Sequence, residues 1–190
     1  IEVVEFFWYS CPHCNAFEPL LEAWLKKLPQ DVAFRRVPVA FRDDFVPQQR
    51  LYYALEAMGL VDKLHAKVFQ TIHGGGVPST TVQSRTGQTQ SRLSTLAEIA
   101  PWVASQGVNE AKFVEHYNSF SVGTKASRAV QLQDAYRIEG VPALGVAGRF
   151  FTDGSMAPSN VQTPDGRQKP SMHGALRVVD ALVAEVRAGR

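Results

Sequence analysis

Glu5-Phe6-Phe7-Trp8-Tyr9-Ser10-Cys11-Pro12-His13-Cys14 runs from an apolar segment into two thiols separated by two residues. After Cys14 the apolar positions are Phe17, Leu20, Leu21, Trp24, Leu25 and Leu28, the three-four spacing of one helical face. The pattern predicts a strand over Ile1 to Trp8 and a helix over Pro12 to Leu28. Cys11 then stands at or just before a helix N-terminus, where unpaired backbone N–H groups and the helix dipole favour negative charge. A thiol there ionises more readily, and the thiolate is the reactive form. Cys14 falls within the first turn, so both sulfurs share one end of the helix. That is the arrangement of a dithiol that opens and closes a disulfide.

Composition narrows the alternatives. The 190 residues can bury a sizeable core as one domain, or as a domain with an insertion. Twenty basic residues against 18 acidic ones leave a net charge of +2 with no long run of either sign, which argues against a nucleic-acid surface. No apolar stretch approaches the length of a membrane-spanning helix. Ile1 begins inside a strand-like run, so the natural N-terminus is expected to lie upstream and the lack of a leader says nothing about compartment. The 2 cysteines form one Cys-x-x-Cys, too few for a structural disulfide framework. A zinc site would need two further ligands, and neither a second Cys-x-x-Cys nor a close His pair is present, so no metal is expected.

Cys-Pro-His-Cys after a strand ending in aromatics resembles the DsbA family, thioredoxin-fold proteins that donate disulfides to secreted bacterial proteins. Pro19 resembles the kink-forming proline of the thioredoxin active-site helix, and Gly140-Val141-Pro142 before an apolar strand resembles the family's cis-proline loop. The family is itself a known case of a lowered thiol pKa. The resemblance covers most of the chain apart from residues 74 to 92. It implies an α/β fold, thioredoxin-like, with an inserted all-helical domain: residues 1–45 and 120–190 for the thioredoxin-like part, 46–119 for the insertion. It also implies a catalytic set of Cys11, Cys14, His13, Pro12 and Glu5, with substrate met by Val141 and Pro142. No cofactor is implied beyond a redox-active Cys11–Cys14 disulfide.

Glu5 carries two readings. In the family a buried acid at the matching position lies beneath the cysteines and relays the proton of Cys14, whereas a strand-end glutamate can also simply face solvent. Glu18 matches a second family acid and is equally readable as a solvated helix carboxylate. Arg36 aligns with a family lysine; if it reaches Glu5, it should hold that carboxylate charged more firmly than lysine would. The register between Arg35 and Arg36 is open from sequence alone.

Further along, Val32 to Phe41 reads as a strand beside the first. Pro47 to Met58, Leu60 to Ile72, Thr95 to Ser105 and Asn109 to Tyr117 read as helices of the insertion. Residues 74 to 92, with three glycines and a Ser/Thr/Gln-rich stretch, read as a flexible surface loop. The His73-Gly-Gly-Gly string is similar to an esterase oxyanion loop, but no Gly-x-Ser-x-Gly turn accompanies it. A helix from Gly123 to Ile138 returns the chain to two short strands, Ala143 to Val146 and Arg149 to Phe151. The polar connection 154–170 reads as loop and Ala175 to Arg187 as the last helix.

Pro12 suits a first helical turn, and His13, placed between the thiols, is the residue expected to stabilise a Cys11 thiolate by hydrogen bond or charge. A lowered Cys11 pKa stabilises the dithiol by roughly 1.4 kcal/mol for each unit that it lies below ambient pH and so makes the disulfide the better oxidant. The expected activity is a protein disulfide oxidase, thiol-disulfide exchange passing through a mixed disulfide on Cys11. Implied partners are reduced, unfolded secreted proteins and a DsbB-like quinone-linked membrane oxidase that recycles the enzyme; the implied place is the periplasm. No nucleic acid is expected, and no dimerisation segment is recognisable, so a monomer is. A reductase or isomerase on the same fold, and a peptide-binding module that retains the motif, are the readings that compete.

Overall fold

The computed structural model describes residues 1–74, 93–162 and 168–189. The expected loop over 74–92 lies, beyond its first residue, outside them. In order along the chain come β1 (Glu2–Phe7), α1 (Pro12–Leu25), β2 (Ala33–Pro38), α2 (Val46–Ala57), α3 (Val61–His73), α4 (Leu96–Ser105), α5 (Glu110–Asn118) and α6 (Phe120–Ala135). Then follow β3 (Ala143–Val146), β4 (Phe150–Asp153), β5 (Pro158–Gln162), β6 (Gln168–Pro170) and α7 (Met172–Arg187).

The chain divides into two compact units, each described by itself. The first comprises Ile1–Phe7, Ala16–Val37 and Leu132–Arg190. Its sheet has the order β2-β1-β3-β4, with β3 antiparallel to both β1 and β4. Val3, Val4, Phe6 and Phe7 are buried because β1 lies inside this sheet, which explains an apolar run on both faces. Phe17 and Leu21 of α1 join Val3, Leu144, Val146, Leu176, Val179 and Val183 in one apolar core. Leu20, expected on the same helical face, is 42% exposed, because it sits at the edge of the stripe that Phe17 and Leu21 centre. Pro19 lies inside α1, which continues past it to Leu25.

Gly145 is where β3 needs the absence of a side chain. A Cβ there would stand 2.7 Å from ring carbons of Tyr136, whose hydroxyl accepts the Gly148 N–H at 2.7 Å. The reading of 154–170 as loop is corrected: β5 and β6 pair antiparallel. This pairing rests on backbone bonds between segments that carry no alternation of apolar residues, so periodicity gave no sign of it.

The second unit comprises Trp8–Asn15 and Pro38–Gln131. Here α2 packs on α3 and α5, and α4 on α5, burying Leu51, Leu55, Leu64, Val68, Ile99 and Phe113. Two of these helices are capped at their starts: the Thr95 and Asn109 side chains accept N–H groups of α4 and α5. The segment Trp8–Asn15, which carries both cysteines, belongs to this unit.

Candidate active site

Cys11 precedes α1, Pro12 is its first residue and Cys14 lies in its first turn. The sulfur of Cys11 therefore takes the place of a capping oxygen: the Cys14 N–H donates to Cys11 Sγ at 3.4 Å, while the Asn15 N–H donates to the Cys11 carbonyl at 3.1 Å. Both cysteines are in the reduced, thiol form, Cys11 7% exposed and Cys14 fully buried. Pro12 and His13 are exposed. The Cys11 thiol is lowered from 9.0 to about 6. The hydrogen bond from the Cys14 thiol contributes most; burial opposes it, and the backbone N–H groups of Cys14 and His13 assist, with the His13 charge behind them. His13 thus acts on the sulfur chiefly through its backbone, and Cys14 outranks it.

Side-chain hydrogen bonds hold the loop before Cys11. The Ser10 N–H donates to Gln48 Oε1 at 3.1 Å, and Gln48 Nε2 donates to Ser10 Oγ at 2.7 Å. The Tyr9 hydroxyl and His65 Nδ1 lie 2.8 Å apart, and His73 Nε2 donates to the Tyr9 carbonyl at 2.7 Å. Trp8 stacks on Phe45 with ring centroids 4.0 Å apart. None of Gln48, His65 and His73 was marked as a site residue by sequence reasoning. Their only signal is polarity inside an amphipathic helix, which ordinary surface residues share.

A second cluster lies in the sheet unit. Glu5 is fully buried, so its solvent-facing reading is excluded. Arg35 points outward to Glu2 at 2.7 Å, whereas Arg36, the next residue on β2, places Nε 3.2 Å from Glu5 Oε2. The same guanidinium reaches Glu18 at 3.1 Å and Glu22 at 2.8 Å. The Glu5 approach is an ion pair without the alignment of a hydrogen bond, and both Glu5 oxygens lack a hydrogen-bond partner among the described residues. One guanidinium serves three carboxylates, of which Glu5 is the fully buried one. Accordingly Glu5 is raised from 4.5 to about 8: burial is the main cause, Glu18 adds to it, and Arg36 opposes without prevailing. Arg36 is itself raised: burial works against its charge, and Glu5, Glu18 and Glu22 together outweigh burial.

Val141-Pro142 is a cis peptide bond immediately before β3, as the resemblance implied, with Pro142 buried and Val141 partly exposed.

No protein-family model matches the chain. Among known proteins, it is 39% identical over 186 residues to a thiol:disulfide interchange protein DsbA of Burkholderia cepacia, covering 98% of this chain and 76% of that one. To the protein of the same name from Bordetella pertussis it is 41% identical over 187 residues, covering 98% and 77%. The crystal structure of Pseudomonas aeruginosa DsbA superposes with a TM-score of 0.78 at 34% identity, covering 99% of this chain and 84% of that one. The oxidoreductase DsbA from Xylella fastidiosa superposes with a TM-score of 0.78 at 29% identity, covering 98% and 86%. The fold is thioredoxin-like with a helical insertion. With a dithiol capping a helix, a cis-proline before β3 and this extent of identity, the chain belongs to the DsbA family of thiol:disulfide interchange proteins and is a protein disulfide oxidoreductase.

Proposed function

We propose that the enzyme works as an oxidase of reduced secreted proteins in the periplasm, with Cys11 and Cys14 as its redox couple and no other cofactor. A substrate thiolate attacks Cys11 Sγ of the Cys11–Cys14 disulfide; that bond breaks, a mixed disulfide forms on Cys11, and Cys14 leaves and takes up a proton. A second substrate thiolate then attacks the substrate sulfur of the mixed disulfide and expels the Cys11 thiolate. The substrate has lost two electrons and the enzyme holds them as a dithiol. A DsbB-like quinone-linked membrane oxidase removes them. The observation that carries this direction is the Cys11 sulfur capping α1 with its pKa lowered to about 6, because a stabilised leaving thiolate makes the disulfide oxidising.

Glu5 is the proton acceptor and donor for Cys14 in this scheme; its burial and its pKa of about 8, near neutrality, support that role. Pro12 and His13 shape the first turn, and Val141 and Pro142 meet the substrate peptide. The enzyme acts as a monomer. Oxidative refolding of a reduced multi-cysteine protein tests the proposal: stoichiometric disulfide-form enzyme should restore native disulfides, Cys11→Ala should abolish this, and Cys14→Ala should prevent formation of the active disulfide. Refolding no faster than in glutathione alone would refute the oxidase assignment.

A further inference from the structure

Tyr9 and Ser10 lie between the end of β1 and the start of α1, in neither a strand nor a helix. The side chains that bond them come from far along the chain, and they come as a set. His65, Phe69 and His73 are spaced by four on α3 and form one face of that helix. Tyr9 lies along this face. Its ring packs edge-on against Phe69 at 5.0 Å, its hydroxyl meets His65, and its carbonyl receives the His73 N–H. Phe69 in turn contacts both imidazoles, edge-on to His65 and stacked on His73. From α2, Gln48, 2% exposed, closes the other side with its two bonds to Ser10. A buried glutamine and a buried histidine are costly unless fully engaged. Here they are engaged with the segment that delivers Cys11.

The donors that stabilise the Cys11 sulfur are backbone and thiol groups of the first turn of α1, the turn that Tyr9 and Ser10 lead into. Fixed donors stabilise an anion better than donors that must reorient. The loop also places the Cys11 N–H on the Trp8 carbonyl at 3.0 Å, so the turn is closed before the helix begins. We infer that Gln48, His65 and His73 are positioning residues of the helical unit that set the oxidising strength of Cys11 by clamping Tyr9 and Ser10. The inference deepens the redox assignment of Cys11 and rests on it.

The test compares His73→Phe, which keeps a ring against Phe69 but loses the donor, with His73→Gln, which keeps an N–H at similar reach. Gln48→Leu removes both bonds to Ser10, and Ile99→Val, a buried residue of α4, which packs on α5, controls for loss of stability. Cys11 ionisation is followed by thiolate absorbance, and oxidising strength by equilibrium with glutathione. His73→Phe and Gln48→Leu should each raise the Cys11 pKa and move the glutathione equilibrium several-fold toward the enzyme disulfide. His73→Gln should restore most of the change, and Ile99→Val should leave both readouts in place. If the first two variants lose stability like Ile99→Val while ionisation and equilibrium stay within twofold of the parent, the clamp is only structural and the inference fails. A parent whose Cys11 ionises like an ordinary thiol would instead overturn the redox assignment itself.

Discussion

A serine before α1 would offer an oxygen to the helix; Cys11 offers a sulfur, and the same geometry that caps the helix stabilises the anion. Its largest contributor is the Cys14 thiol, with backbone N–H groups after it, and these backbone donors survive any substitution of the His13 ring. Thiolate absorbance should therefore place the Cys11 midpoint near 6, and Cys14→Ala should raise that midpoint more than His13→Ser does. The reverse ranking would make the ring the dominant influence. Glu5 has the opposite sign. Its folded-state pKa of about 8 lies above 4.5, so between those values the folded chain holds a proton that the unfolded chain has released. Stability then falls as pH rises through that window. In the disulfide form, where no thiol titrates, Glu5→Gln should flatten this decline in urea unfolding; an unaltered slope would mean that Glu5 is not its source.

At the scale of elements, β2 shows how alternation separates two neighbouring arginines. Arg35 pairs with Glu2 on the exposed side, where an ion pair contributes about 0–1 kcal/mol. Arg36, its side chain 12% exposed, faces Glu5, Glu18 and Glu22. Above about pH 8, where Glu5 is ionised, Arg36→Met should destabilise the protein by about 3–5 kcal/mol, since it leaves the buried Glu5 carboxylate without its cation, and Arg36→Lys should cost less. Equilibrium denaturation of the two variants checks this. Equal small losses would show that the cluster adapts by protonation alone. Two ties hold α1 and α7 to their surroundings: Trp24 Nε1 donates to Asp180 at 2.8 Å and Arg187 bonds Asp31 at 2.8 Å.

For the molecule as a whole, redox state and pH are linked through one sulfur. In the reduced protein a Cys11 pKa of about 6 against 9.0 when unfolded contributes stability that is complete above 9.0 and is lost as pH falls through about 6. The disulfide form lacks this contribution. The stability of the reduced protein relative to the oxidised one should thus increase between pH 6 and pH 9, measured by paired denaturant titrations, and a constant difference would contradict the lowered pKa. Packing sets a separate limit. Gly145→Ala forces a methyl group into the Tyr136 ring and should lower stability by about 1–3 kcal/mol, with a lower midpoint in thermal unfolding.

Local pattern alone determined the Cys-x-x-Cys at a helix start, the inner strand β1, the helical run between β2 and β3, and the pair β3 and β4. Each of these is written in neighbouring residues, as a period of two or of 3.6 or as a capping position, so a linear reading suffices. The partners of Glu5, the choice of Arg36 over Arg35, the exposure of Leu20, the pairing of β5 with β6, and the clamp of Tyr9 and Ser10 by residues 38 to 64 positions away were decided only by the tertiary structure. Periodicity says which face a residue occupies; what it meets there depends on which distant element the folded chain packs against that face, and on how few buried cations there are to share among buried acids.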